Sequence, residues 1–306
     1  MAIDLLSRTQ RLISTSTGLA LAALIACAPL AGASAMGLKA SAPPNADRGV
    51  EEIRQALAEQ RYVDAERLLD QAAIAGVTDP RLTVQSGELD LHRGDYKDAL
   101  DSFERAAMLP STHADALAGK GVALALLGKS DEAMSVLKAA VAEKPDAWRA
   151  WNALGSEYDR RAQWQDAEAA YAKALEASSN AAIVLNNRGY SRLLQHRPRE
   201  AVGDLITALQ KAPDLAAART NLRLALAMDG NYDKASAGSA TDDRATLLNN
   251  AGFAAATMGD YQQAEKLLTE AVKARSAYYD RASDNLALVK AMKSQDKTLA
   301  SRTDPK

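Results

Sequence analysis

Apolar residues recur three and four positions apart along most of the chain, as in Leu117, Val122, Leu124, Leu127, Met134, Leu137 and Val141, and polar residues fill the positions between them. That spacing follows the turn of an α-helix and predicts amphipathic helices rather than strands. A longer period runs over it. Alanine stands at Ala65, Ala99, Ala133, Ala167, Ala201 and Ala235, each 34 residues after the last, and again at Ala264 after 29. Gly87, Gly121, Gly155, Gly189 and Gly252 precede these alanines at one fixed offset, and Ala72, Ala106, Ala140, Ala174, Ala208 and Ala271 follow at another. Three thin side chains per period fit a helical hairpin. The first lets helix A approach helix B, the second receives it, and the third lets the next hairpin stack close. Gly94-Asp95-Tyr96, Gly128-Lys129-Ser130, Gly230-Asn231-Tyr232 and Gly259-Asp260-Tyr261 fall at the A-to-B turn, where Gly accepts positive φ and Asp, Asn or Ser can cap the next helix. Pro145 and Pro213 fall between hairpins and end helix B.

The register resembles that of the tetratricopeptide repeat, whose signature positions match best at Trp151, Leu154, Gly155, Tyr158, Ala167, Tyr171 and Ala174, with Ser179 in place of the final Pro. The resemblance implies an all-α fold, a right-handed solenoid of hairpins. Repeats are expected at about 46–79, 80–113, 114–147, 148–181 and 182–215, with a truncated one at 216–244 and a last at 245–278. The first is degenerate, with Ile53 at the Gly position. An amphipathic helix over 279–293 is expected to cap the stack, because the last layer of a solenoid needs a cover. A polar tail, 294–306, is expected to be disordered. In the sixth repeat, 236–243 is rich in Gly, Ser and Asp and Arg223 takes the usual Gly position, which fits a hinge or a shortened helix with a surface loop.

Ahead of the repeats, Arg8 and Arg11 precede an uncharged apolar run from Leu12 to Ala26, the layout of an export signal. The tetrad Leu24-Ile25-Ala26-Cys27 resembles a bacterial lipobox, which implies a signal peptide over 1–26, acyl chains on Cys27 and a flexible tether over 27–45. Ala28 after the Cys would suggest the outer membrane. Ala33-Ser34-Ala35 offers the alternative, cleavage that leaves a soluble periplasmic protein. No later stretch is apolar enough to span a bilayer, so the membrane would be met only through the lipid anchor.

Composition narrows the functional classes. The 306 residues are 47% hydrophobic and 25% charged, the balance of a folded chain, and 37 basic against 39 acidic residues give no bulk attraction to nucleic acid. One Cys and the scattered His92, His113 and His196 suggest neither a structural metal nor a catalytic couple, and no nucleophile, phosphate-loop or dinucleotide motif appears. No cofactor is expected, and the chain is read as a non-enzyme. In the tetratricopeptide family helix A lines the concave groove, so candidate ligand-facing residues are Arg149, Asn152, Asn186, Asn187, Tyr190, Asn221, Asn249, Asn250 and Phe253. Asn187, Asn221 and Asn250 share one slot, with Asn285 close to it, and Asn152, Asn186 and Asn249 share its neighbour. A carboxamide row can grip peptide backbone; it can equally serve helix A itself. Trp151 and Trp164 fit packing, and Trp148 fits either packing or a partner-facing place. The carboxylate clamp of chaperone-binding members is not matched, since repeat three offers Asp115, Ala118, Gly119 and Val122.

The lipobox, the divergent repeats and the blocks Leu248–Phe253 and Tyr278–Ala287 together resemble lipoproteins of the tight-adherence (Flp) pilus machinery. That resemblance implies an envelope protein or peptide as partner, with a pilus secretin the specific one. A soluble periplasmic adaptor or chaperone, and an adaptor that recruits cell-wall enzymes, are the alternatives.

Overall fold

A computed structural model describes residues 46–178, 181–238, 244–274 and 280–303. The signal segment 1–26, Cys27, the cleavage alternative at Ala35, the tether to residue 45, Ser179, 239–243 of the sixth repeat and Tyr278 and Tyr279 lie outside the described residues. Among those described there are fifteen helices and no strand. They pair as α1 (Ala46–Ala58) with α2 (Tyr62–Ile74), α3 (Pro80–Arg93) with α4 (Tyr96–Ala107), and α5 (His113–Leu126) with α6 (Ser130–Glu143). Next come α7 (Trp148–Arg160) with α8 (Trp164–Ala177), and α9 (Ala181–Leu194) with α10 (Pro198–Lys211). The series ends with α11 (Ala216–Met228) and the short α12 (Tyr232–Ser236), α13 (Arg244–Thr257) with α14 (Tyr261–Ala274), and the single α15 (Asp280–Thr303).

The hairpins close on a knob and a slot. A Cβ added at Gly155 would lie 2.6 Å from the Tyr171 ring, at Gly121 2.5 Å from Leu137, at Gly189 2.8 Å from Leu205 and at Gly252 2.8 Å from Leu268. In the second hairpin Phe103 is the knob, 2.9 Å from a Cβ on Gly87 and closer still to one on Gly119 of the following helix. The knob therefore stands one constant offset after its slot and fills the space a side chain on helix A would need. Ala65, Ala99, Ala133, Ala167, Ala201 and Ala264 are fully buried and Ala235 is 2% exposed, as a seat for helix A on helix B requires. The third small position is equally buried from Ala106 to Ala271, while Ala72 at the degenerate first hairpin is half-buried.

Every A-to-B turn holds one left-handed residue. Gly94, Gly128, Gly230 and Gly259 have φ of 87°, 78°, 81° and 81°. The same turn in the first, fourth and fifth hairpins uses Gln60, Ala162 and His196, at 60°, 55° and 56°. There an L-residue carries strain that glycine avoids. Capping at these turns departs from expectation. Asp260 Oδ1 accepts from the Gln263 amide at 3.1 Å. Asp95 and Asn231 make no such bond, because the turn holds them near φ −85° and ψ 60°, away from the extended geometry of a capping residue.

Two boundaries also differ. Helix α15 continues past Lys293 to Thr303, through the tail expected to be disordered. Ser294 to Thr303 contains neither Gly nor Pro, so nothing local stops the helix before Pro305. In the sixth hairpin α12 stops at Ser236, and α13 packs directly on α11.

Gly155→Ala drives a methyl into the Tyr171 ring and is expected to lower unfolding stability by about 2 kcal/mol. Ala162→Gly relieves a left-handed alanine and should raise it by about 0.5–1 kcal/mol. Urea titration of both variants beside the parent checks the opposite signs; an unchanged midpoint for Gly155→Ala would mean that knob and slot do not meet.

Candidate functional site

Successive A helices pack on one another from α1 to α15 more closely than successive B helices do. The A side is therefore the inner, concave side of the stack. It is here that the nine residues anticipated as ligand-facing are placed, and they divide into two groups.

The asparagines form a ladder. Asn187 Nδ2 donates to Asn152 Oδ1 at 3.1 Å, Asn186 Nδ2 to Asn187 Oδ1 at 3.1 Å, and Asn221 Nδ2 to Asn186 Oδ1 at 3.0 Å. A second run has Asn285 Nδ2 donating to Asn249 Oδ1 at 2.9 Å and Asn249 Nδ2 to Asn250 Oδ1 at 3.2 Å. Asn152, Asn186, Asn187 and Asn249 are 1%, 1%, 7% and 2% exposed, so they are not open to a ligand as the slot pattern suggested. The physical reason is the close approach of neighbouring A helices: a carboxamide reaches the adjoining slot of the repeat before it, 35 or 36 residues away, and a buried amide must find a partner. Asn221 is half-buried and Asn250 exposed. Tyr190 is half-buried against the core around Ala182 and Leu185, and Phe253 is half-buried.

Arg149 does face outward. Its side chain is 52% exposed, and Nη1 lies 3.0 Å from Glu88 Oε1, whose side chain is only 15% exposed. Its guanidinium stands 5.4 Å from the centre of the Trp148 ring. This ion pair joins α3 to α7 across α5, skipping a whole hairpin. It can do so because α5 presents Ala118 and Gly119 in the slots where α9 carries Asn186 and Asn187. The missing bulk leaves a recess of about 50 Å³, with Leu91 and His92 of α3, Val122 of α5 and Asn152 of α7 completing its wall. His92 stacks on Tyr62, centroids 5.1 Å apart, and burial holds its imidazole below the ordinary value while Glu88 pulls the other way. Glu88 and His92 were not among the anticipated residues. The signal for them was the pair of small residues in repeat three, read there only as an unmatched clamp.

Polar groups also sit in the seams within and between hairpins. Glu157, 1% exposed, accepts from the Ser130 hydroxyl and pairs with Arg160 at 3.2 Å. Asp204 takes Arg188 in two bonds of 2.7 and 2.8 Å and Arg192 at 2.8 Å. Asp159 is different. It accepts from Ser191 at 2.6 Å and from the Tyr171 hydroxyl at 2.9 Å, joining α7 to α9 and α8 with no cation on it. Burial pushes its pKa up to about 6, against the two hydroxyl donors that pull it down.

The three histidines serve separate structural roles: His92 in the Tyr62 stack, His113 against the Ala107 carbonyl at 2.6 Å, and His196 in a left-handed turn. Trp151 donates to the Pro145 carbonyl at 2.9 Å and packs in the core, Trp164 opens α8 half-buried, and Trp148 alone reaches the recess. Among the described residues no group of three or more His, Cys, Asp or Glu could hold a metal ion, and no helix is long and apolar enough to cross a membrane.

Comparison with known proteins agrees with this geometry. Family models described as tetratricopeptide repeat match residues 90–157 and 245–278. No curated protein matches the chain in sequence. Among solved structures, the APC/C hetero-tetramer Cut9–Hcn1 aligns over 80% of this chain and 49% of its own, at 16% identity and a TM-score of 0.60, so the chain spans about half the length of that protein. The thermophilic protein TTC0263 of Thermus thermophilus aligns over 59% of this chain and 98% of its own, at 22% identity and a TM-score of 0.52. Pseudomonas aeruginosa pilF aligns over 68% and 96%, at 17% identity and a TM-score of 0.51. The chain carries tetratricopeptide repeats, and these likenesses concern the fold.

Asn187→Ala removes the ladder's middle rung and leaves Asn152 Oδ1 and Asn186 Nδ2 buried without it. A loss of about 2 kcal/mol is expected; a urea midpoint unchanged from the parent would show that the rungs hold nothing together.

Asp159 gives a second test. Its pKa in the fold, about 6, lies above the ordinary carboxylate range, so the neutral acid is the form the fold prefers. The stability it contributes is complete below the unfolded value and is lost as pH rises through about 6. Asp159→Asn should therefore gain on the parent between pH 4 and pH 8 by an amount on the order of 3 kcal/mol. Melting profiles that run parallel across that range would mean the buried carboxyl does not titrate in the fold.

Proposed function

We propose that the chain is a non-enzymatic scaffold, exported and held by acyl chains on Cys27 at the periplasmic side of the outer membrane, which grips another envelope polypeptide along its A-helix face. One observation carries the binding reading. The inner face presents a half-exposed Arg149 beside Trp148 at the rim of a recess, with exposed Asn250 and half-buried Asn221, Tyr190 and Phe253 further along. An Arg and aromatic rings on a concave wall are the side chains that anchor interfaces. The ladder behind them keeps that wall stiff, which lowers the entropic cost of binding.

The anchor rests on Leu24-Ile25-Ala26-Cys27. The acyl chains of Cys27 would each add roughly 0.8 kcal/mol per buried methylene, enough together for stable attachment. More narrowly, the lipobox and the blocks 248–253 and 278–287 resemble TadD, the lipoprotein of the tight-adherence pilus system, and we place the chain in pilus assembly, with the secretin as its partner. Asn249 and Asn285 of those blocks are also the rung that fixes α15 on α13, so part of that resemblance serves the end of the stack.

A second reading, a soluble periplasmic adaptor that could equally recruit a cell-wall enzyme, is favoured by Ala33-Ser34-Ala35. Fractionation separates the two. Cys27→Ala should move the protein from the membrane to the soluble periplasmic fraction, whereas unchanged solubility of parent and variant supports the second. A photo-crosslinking residue at Phe253 should capture an envelope protein that one at exposed Lys173 on α8 does not, and equal capture from both would remove the groove from the proposal.

A further inference from the structure

The recess between α3, α5 and α7 has a chemistry of its own, and it is occupied by an internal substitute. Glu88 is the fixed half of the ion pair, 15% exposed on α3, and Arg149 the loose half, 52% exposed on the rim. Among the described residues Arg149 is the only cation paired with Glu88. If Arg149 swings into water its own half-exposed head is readily solvated, and it gives up Glu88 and its place beside the Trp148 ring. What stays behind is a carboxylate set into an apolar hollow floored by Ala118 and Gly119, with the Trp148 ring at its edge. A carboxylate in low-dielectric surroundings attracts a replacement cation strongly, and an aromatic face adds to that attraction. An acidic group would fit worse, since it would enter beside Glu88.

We infer that this recess is a cation pocket, in which a lysine or arginine side chain of a bound polypeptide displaces Arg149 from Glu88 and lays its stem over Gly119 toward Trp148. The inference rests on the proposal that the A face binds polypeptide, and it adds the charge of the residue that is read there. Arg149 then acts as a placeholder: it neutralises Glu88 in the free protein and sets a threshold that only a basic side chain passes.

The test uses three blocked tripeptides, acetyl-Ala-Arg-Ala-amide, acetyl-Ala-Gln-Ala-amide and acetyl-Ala-Glu-Ala-amide, titrated into the purified full chain while the Trp148 indole signal is followed by NMR. Removing the placeholder by Arg149→Ala, and independently by Arg149→Gln in case one variant fails to fold, should tighten binding of the Arg peptide by about tenfold, the factor expected when Arg149 fills the recess in about nine molecules of ten. Adding Glu88→Gln to either variant should abolish the gain, and the Gln and Glu peptides should not respond. Unchanged affinity for the Arg peptide in both variants, retention of the gain without Glu88, or tighter binding of the Glu peptide overturns the cation pocket. Crosslinking from Phe253 reports on the wider proposal separately: capture there together with an unselective recess would discard this inference and leave the groove standing.

Discussion

The stack depends on one steric bargain repeated in successive hairpins: helix A gives up a side chain so that a ring or a leucine on helix B can enter its place. Phe103, Leu137, Tyr171, Leu205 and Leu268 are all fully buried, and each sits where a Cβ on its glycine would stand less than 3 Å away. Interiors packed to crystal-like density cannot absorb even a methyl there without moving a helix. Since hairpins pack chiefly on their neighbours, such a shift would pass to the next layer as a change of tilt. The small residues thus set the pitch of the inner face, and with it which A-helix side chains reach one another.

Once that pitch is set, the same slot on helix A has two uses. Where it carries asparagine, as at Asn152, Asn186 and Asn187, the carboxamides reach across and join layers. Where it carries Ala118 and Gly119, no carboxamide fills the gap, a recess opens, and Glu88 and Arg149 meet over it. Gly119 is held to this by packing as well, because the Phe103 ring of the preceding hairpin lies against it. A constraint of the core thereby creates a vacancy on the surface.

The parts legible in the sequence were those that repeat as size. Glycine and alanine at constant offsets announce close approach whatever the flanking residues, so hairpins, turns and the short sixth repeat could be read from spacing. What could not be read depends on distance between layers. Asn187 looks the same in a sequence whether its amide meets water, a ligand or Asn152, and only the separation of α7 and α9 decides. Ala162 and His196 hid their left-handed turns because no glycine marked them. The recess was hidden for the opposite reason, since it is built from what Ala118 and Gly119 lack. The helical tail is not legible in its composition, because polarity says little about helix when no breaker intervenes before Pro305.

The distribution of buried charge fits a division of labour between seams and groove. Asp204 is paired with Arg188 and Arg192, largely buried themselves, where removing a partner would strand a charge. Asp159 is left with hydroxyls alone and carries the strain of ionising in a buried seam. Glu88 lies between these cases, buried enough to require a cation yet paired with one that reaches it from the solvent side. A structural pair would place both ends inside, and an idle surface pair would leave both in water. Other pairs share that half-and-half arrangement, Arg81 with Asp79 and Arg160 with Glu157 among them; what sets Arg149 and Glu88 apart is the inner wall beneath them, which has no side chain to close it.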